Sequence, residues 1–369
     1  PITTISDVGM SNGEITELNV ELEAIEGFKV NIQAVDALTG EAIPNAEVRV
    51  EHPLKEIAME SEESGIAVFD LVYAAEYQII VGKWGYETAA FTDIYVDENT
   101  STLTLQIVKG FYDDFTFDFE WTVDSDASRG IWERGKSNRS LFGGQYITPD
   151  GDLPDDIGGF CYITGNGVSF SDNVNDGFTT LQSPIFDASI FENPELNYHR
   201  WYYLQNSNFF ASDDTLYISL SNGIDTVGLE TLVNNDAAEA RWAEQRFLVR
   251  EILTPTDEMQ LIFEVSDTGT GHLVEAALDL FRLHEGPPVP SPAFAATVVQ
   301  GCSPLVVSFN STTEGNVESV QWKFEGGDVF ITNNPTPTVT YTEAGSYDVT
   351  LKVTTDGGTE ERTFINYIT

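Results

Sequence analysis

Apolar and polar residues alternate with period two along most of the chain. Phe28-Lys29-Val30-Asn31-Ile32, Glu47-Val48-Arg49-Val50, Tyr77-Gln78-Ile79-Ile80-Val81 and Leu103-Thr104-Leu105-Gln106-Ile107 are such runs. All are rich in β-branched and aromatic residues, so each predicts a half-buried strand. Gly, Pro, Asn and Asp break the runs roughly every 8–12 residues, the spacing of β-sandwiches. Asn235 to Gln245 is the one mildly helical stretch, read as a single turn or a loop. The fold class is all-β, as serial sandwiches.

Two features divide the chain. Glu285-Gly286-Pro287-Pro288-Val289-Pro290-Ser291-Pro292 favours extended polyproline backbone and predicts a stiff spacer. Near the start, Asp7-Val8-Gly9-Met10 followed by Leu18-Asn19-Val20-Glu21-Leu22 echoes Asp93-Ile94-Tyr95-Val96 followed by Leu103–Ile107. Residues 1–26 therefore read either as the last strands of a preceding, similar repeat or as an edge hairpin. The remaining boundaries are 27–109, 110–286 and 287–369.

Charge narrows the function. The 369 residues hold 17 Lys+Arg against 60 Asp+Glu, a formal charge of −43. Such a chain repels phosphate backbones and anionic membranes, which argues against nucleic-acid partners. No apolar run of about 18 residues is present to insert into a membrane. Hydrophobic residues make up 41%, enough for several cores despite the charge. There are two cysteines, Cys161 and Cys302, and four histidines, His52, His199, His272 and His284. They form no zinc spacing, and no nucleophile elbow, Walker loop or dinucleotide fingerprint accompanies them. Acidic pairs are too numerous to single out a glycosidase couple. The chain reads as non-catalytic, and a bond between the two cysteines would have to cross domains, so two free buried thiols are expected.

Three resemblances follow. Residues 27–109 carry Thr39-Gly40, Pro44-Asn45-Ala46-Glu47-Val48, Gly65 with Phe69, and Tyr77 through Val81 followed by Gly85-Tyr86. This resembles a carboxypeptidase regulatory-like domain, which implies a transthyretin-like seven-stranded sandwich serving as a spacer or folding module. Residues 111–285 carry Asp113-Asp114-Phe115, Trp121-Thr122-Val123, Gly130-Ile131-Trp132, Asp176-Gly177-Phe178, Tyr198-His199-Arg200-Trp201 and Glu275-Ala276-Ala277-Leu278-Asp279. This resembles a jelly roll of the MAM-like or carbohydrate-binding-module-like type. Trp121, Trp132 and Trp201 are assigned to its core rather than to sugar stacking. Residues 293–369 carry Trp322-Lys323-Phe324-Glu325-Gly326-Gly327-Asp328, Val339-Thr340-Tyr341 and Gly345-Ser346-Tyr347-Asp348-Val349. This resembles a PKD domain, an immunoglobulin-like sandwich with Tyr347, Val349, Leu351 and Val353 facing Trp322 and Phe324.

The jelly roll holds the candidate cation ligands, because Ca²⁺ takes several carboxylate and carbonyl oxygens. Asp150, Asp152, Asp155 and Asp156 share one Gly/Pro-rich loop, and Asp172, Asn173, Asn175 and Asp176 another. The resemblance implies a further pairing, Asp113 or Asp114 with Asp279, around a structural calcium. Asp214-Thr215-Leu216 and Asp225-Thr226-Val227 are similar to O-glycosylation acceptors of bacteria that use type IX secretion, which singles out Thr215 and Thr226.

Three such modules in series resemble extracellular or cell-surface proteins of those bacteria, with both ends cut from a longer parent chain. The expected function is a stalk or accessory region partnered by other domains of the parent, a peptidase among them. The alternative is an adhesin or carbohydrate-binding module whose jelly roll takes glycans or cell-surface polymers.

Overall fold

The computed structural model describes residues 27–53, 55–154, 156–205, 214–233, 240–267 and 273–369. The reading of residues 1–26 lies outside that set, as do Asp155, His272 and residues 235–239 of the stretch read as mildly helical. The described residues form two compact units, divided between Lys109 and Gly110. Among the described residues strands dominate, and the only helical pieces are two 3-10 turns.

In the first unit, β1 (Phe28–Asp36), β4 (Ile66–Val72) and β7 (Thr102–Ile107) form one sheet, in the order β4-β1-β7. The other sheet runs β3 (Lys55–Glu60), β2 (Glu47–His52), β5 (Ala75–Gly82) and β6 (Ala89–Val96). Strand alternation drives the packing: Val30, Ile32 and Ala34 of one sheet are buried with Val48, Val50, Ile79 and Val81 of the other. β1 and β7 pair in parallel.

The second unit begins with a larger sandwich. One sheet runs β10 (Trp132–Gly135), β13 (Cys161–Thr164), β20 (Leu273–Glu285), β15 (Pro194–Gln205) and β18 (Ala243–Leu248), with β8 (Phe111–Asp113) added on β20. The other runs β17 (Thr226–Leu232), β16 (Thr215–Ser221), β19 (Gln260–Asp267), β14 (Gly177–Gln182) and β9 (Thr122–Ser125). Phe263 of the second sheet meets Trp132 and Tyr198 of the first edge-on, so aromatic rings join the layers. Trp121, Trp132 and Trp201 are all buried, as the sequence suggests. Gln245, the end of the stretch read as helical, lies in β18: cross-strand pairing with Tyr198 overrides local propensity.

Between β10 and β13 the chain makes a long excursion that contains a short hairpin, β11 (Leu141–Phe142) with β12 (Gln145–Tyr146). Trp201 Nε1 donates to the Ile147 carbonyl at 2.9 Å, tying this excursion to β15. It delivers Asp152 and Asp156 to Asp279, in the middle of β20.

The last module has sheets β21 (Phe294–Ala296), β22 (Leu305–Ser311), β25 (Thr338–Tyr341) and β24 (Ile331–Thr332), β23 (Val317–Phe324), β26 (Tyr347–Thr355), β27 (Gly358–Ile368). Its core stacks Trp322 on Phe324 with Phe309 between the sheets. Val349, Leu351 and Val353 pack into the same core. Both cysteines are free, but only Cys161 is buried. Cys302 is exposed because it sits in the turn before β22, so the expectation of two buried thiols is corrected there.

Candidate metal centre

Asp279 lies on β20, where its carboxyl is fully buried. Its Oδ1 accepts the Leu280 amide at 2.7 Å and its Oδ2 the Leu153 amide at 3.3 Å. That second bond brings the 150–156 loop against the strand. Asp152, Asp156 and Asp279 then each present a carboxylate oxygen, all within 4.8 Å of one another. Both oxygens of Asp152 and Oδ2 of Asp156 are buried with no hydrogen-bond partner.

Ionised carboxylates this close repel each other, and burial removes the water that would screen them. Burial first, then the charges of Asp152 and Asp114, push the Asp156 carboxyl up to about 8. Burial first, then Asp152 and the charge of Asp156, hold Asp279 well above the usual carboxylate range. Asp114 is raised chiefly by burial, with Asp152 adding. The Cys161 thiol and the Tyr112 phenol are also raised, by burial and then by charges of this cluster. Five groups from three parts of the chain therefore sense one negative field.

A hard cation fits such a place. Calcium oxygens lie about 2.3–2.6 Å from the ion, so two ligands of one ion sit at most about 5 Å apart, as these do. The donors are oxygens from Asp152, Asp156 and Asp279, with Asp114 adjoining them. Among the described residues no histidine joins them, which disfavours zinc.

The other acids read from the sequence lie elsewhere. Asp113 neighbours Asp114, but its Oδ1 accepts the Phe115 amide and its Oδ2 the Trp121 indole N–H, both at 2.9 Å. Burial raises it to about 7. Asp150 pairs with Arg139 at 3.0 Å on the surface. Asn175 donates to Ser128 Oγ and to Asp176 Oδ2, and Asp176 is exposed. Asp172 accepts the Gly167 amide at 2.8 Å, away from these two. Thr215 is half-buried and bonds Ser266, whereas Thr226 is exposed at the start of β17.

The sequence reading did not single out Glu275, a fully buried acid four residues before Asp279 on the same strand. It is an acid inside the run Leu273-Val274-Glu275-Ala276-Ala277-Leu278, and an acid in a doubly buried strand is the signal that could have found it.

Residues 285–369 match the PKD domain family. A 60-residue stretch is 42% identical to the pre-pro-metalloprotease PrtV of Vibrio cholerae serotype O1, strain M66-2. The match spans 16% of this chain and 6% of that protein. Among solved structures, a carbohydrate-binding module of the β-sandwich superfamily aligns over 72% of this chain and all of its own, at 11% identity and a TM-score of 0.28. The major pilin SpaD of Corynebacterium diphtheriae aligns over 95% of this chain and 93% of its own, at 12% identity and a TM-score of 0.23. No helix among the described residues is long and apolar enough to cross a membrane.

Proposed function

We propose that this chain is a non-catalytic accessory and binding region of a larger exported, cell-surface or secreted protein, with a jelly roll braced by calcium. The PKD match over residues 285–369 carries the accessory role. The short identity to a pre-pro-metalloprotease supports a peptidase elsewhere in the parent chain. The carboxylates of Asp152, Asp156 and Asp279 hold the ion, and Asp114 supports them from the neighbouring turn. The ion removes mutual repulsion and locks the 150–156 loop onto β20. Trp121, Trp132 and Trp201 are buried, so a glycan would bind through other groups of the jelly roll.

The ion is tested by melting the chain in calcium and in chelator. Free ion at a hundred times its dissociation constant stabilises by about 2.7 kcal/mol. For a unit of this size that is a rise of roughly 5–11 °C. Equal melting temperatures would remove calcium from the reading. The binding role is tested by calorimetric titration with cell-wall and host glycans. Turnover of any substrate in a broad hydrolase panel would overturn the non-catalytic role.

A further inference from the structure

The last module carries two grooves side by side on the outer face of its four-stranded sheet. Alternation turns Trp322, Phe324, Leu351 and Val353 into the core, so Gln321, Lys323, Thr350 and Lys352 face outward. Gln321 pairs with Lys352 and Lys323 with Thr350, which makes them successive cross-strand rows. The first row lines a groove of about 410 Å³ together with Glu318, Asn333 and Thr354. The second row lines the next groove, of about 240 Å³, with Glu325, Phe330 and Asp348.

The two-residue strand β24 joins the walls of both grooves, because Phe330 precedes it and Asn333 follows it. Gln321 Nε2 donates to Asn333 Oδ1 at 3.3 Å, which orients the two amides across the first groove. Phe330 is 54% exposed, although a ring of that size gains by burial. Lys323 Nζ lies 5.5 Å from its centroid, a cation–π contact that holds the ring at the second groove.

This lining selects a class of ligand. Amides, hydroxyls, ammoniums and carboxylates alternate along it, so it offers both donors and acceptors. A polyanion would meet Glu318, Glu325 and Asp348, and a polycation would meet Lys323 and Lys352. An extended peptide docks on a strand edge, since the ladder groups lie in the plane of the sheet and not on its face. A neutral sugar meets none of these obstacles. Its hydroxyls donate and accept, and its C–H face packs on an aromatic ring. Two grooves in line suit a chain of sugars.

We propose that the outer face of the β24-β23-β26-β27 sheet binds a neutral polysaccharide, with Phe330 as the stacking ring and Gln321, Asn333, Lys323 and Lys352 as its polar contacts. The site rests on the binding role proposed above and places it outside the jelly roll.

Native affinity electrophoresis of the full chain tests it, in gels containing hydroxyethylcellulose, glucomannan or dextran, with polygalacturonate as the anionic comparison. At least one neutral polymer is expected to retard the wild type. The double variant Gln321→Ala with Phe330→Ala is expected to bind it about tenfold more weakly, the worth of one aromatic contact with its flanking hydrogen bond. Both positions are exposed, so the variant should keep the parent's melting temperature. Equal retardation of parent and variant overturns the site and leaves glycan binding to the jelly roll. Retardation by polygalacturonate alone overturns the neutral ligand. No retardation by any polymer overturns the site and takes the glycan-binding role with it. Should the variant not fold, the wild type decides by acetylation with N-hydroxysuccinimide acetate. The retarding polymer is expected to protect Lys323 and Lys352, and unchanged acetylation of both overturns the proposal.

Discussion

Asn193, in the turn before β15, donates through Nδ2 to the main-chain carbonyl of Gly357 at 3.0 Å and to that of Pro287 at 2.6 Å. One buried amide thus joins the larger sandwich, the proline-rich linker and the β26–β27 turn of the last module. Glu285 accepts the Glu192 and Asn193 amides, each at 2.8 Å, and Glu251 Oε1 accepts the Thr359 amide at 3.0 Å. The linker is therefore held by docking as well as by proline stiffness.

Gly357→Ala is expected to loosen this joint. Its β-carbon would lie 1.9 Å from the Pro288 carbonyl oxygen, a backbone atom that no rotamer change can move. Overpacking of this kind costs about 1–3 kcal/mol. Limited proteolysis should cut the variant within residues 287–292 faster than the parent. Equal cleavage rates would show that the contact does not restrain the linker.

A pH dependence follows from the acid cluster. Asp156 has its folded-state value raised from 3.8 to about 8. The folded chain then binds more protons than the unfolded chain between those values, so in chelator stability falls as pH rises from about 4 to 8. A bound divalent ion replaces the protons and flattens that slope. Melting series at pH 5, 6.5 and 8, with chelator and with calcium, read both effects. A chelated protein that gains stability over this range would contradict the raised carboxyls.

Much of the fold is legible in the sequence because alternation writes it directly. Val30, Ile32 and Ala34 point inward at every second place, and so do Val349, Leu351 and Val353. The candidate site is legible only in pieces. Asp279 and the 150–156 loop are visible as acids, but their meeting depends on the β13–β20 pairing, which no local pattern encodes. Glu275 is hidden for the opposite reason, since one acid in an apolar strand carries no motif. Asp113 and Asp114 look equivalent in sequence. They differ because one faces the Trp121 indole and the other the acid cluster.

Asp113 is accordingly expected to act in folding rather than in ion binding. Asp113→Ala leaves the buried Trp121 Nε1 and the Phe115 amide without acceptors, a loss of about 2–4 kcal/mol. Calcium stoichiometry should be unchanged in the folded variant. A variant as stable as the parent that binds one ion fewer would make Asp113 a ligand instead.

The two sheets of the larger sandwich are also joined by a polar clasp. Tyr198 Oη donates to Glu230 Oε2 at 2.8 Å, and Arg200 Nε and Nη2 donate to Glu230 Oε1 at 3.1 and 2.9 Å. Tyr198 and Arg200 belong to β15 and Glu230 to β17, so the bonds cross between layers. Glu230→Ala leaves a largely buried guanidinium unpaired and is expected to cost about 3–5 kcal/mol in denaturant unfolding. Replacing all three groups, as Tyr198→Phe with Arg200→Met and Glu230→Leu, removes every stranded polar atom and should recover most of that loss. A single Glu230→Ala change within about 0.5 kcal/mol of the parent would show that the clasp adds nothing beyond the apolar contact of the sheets.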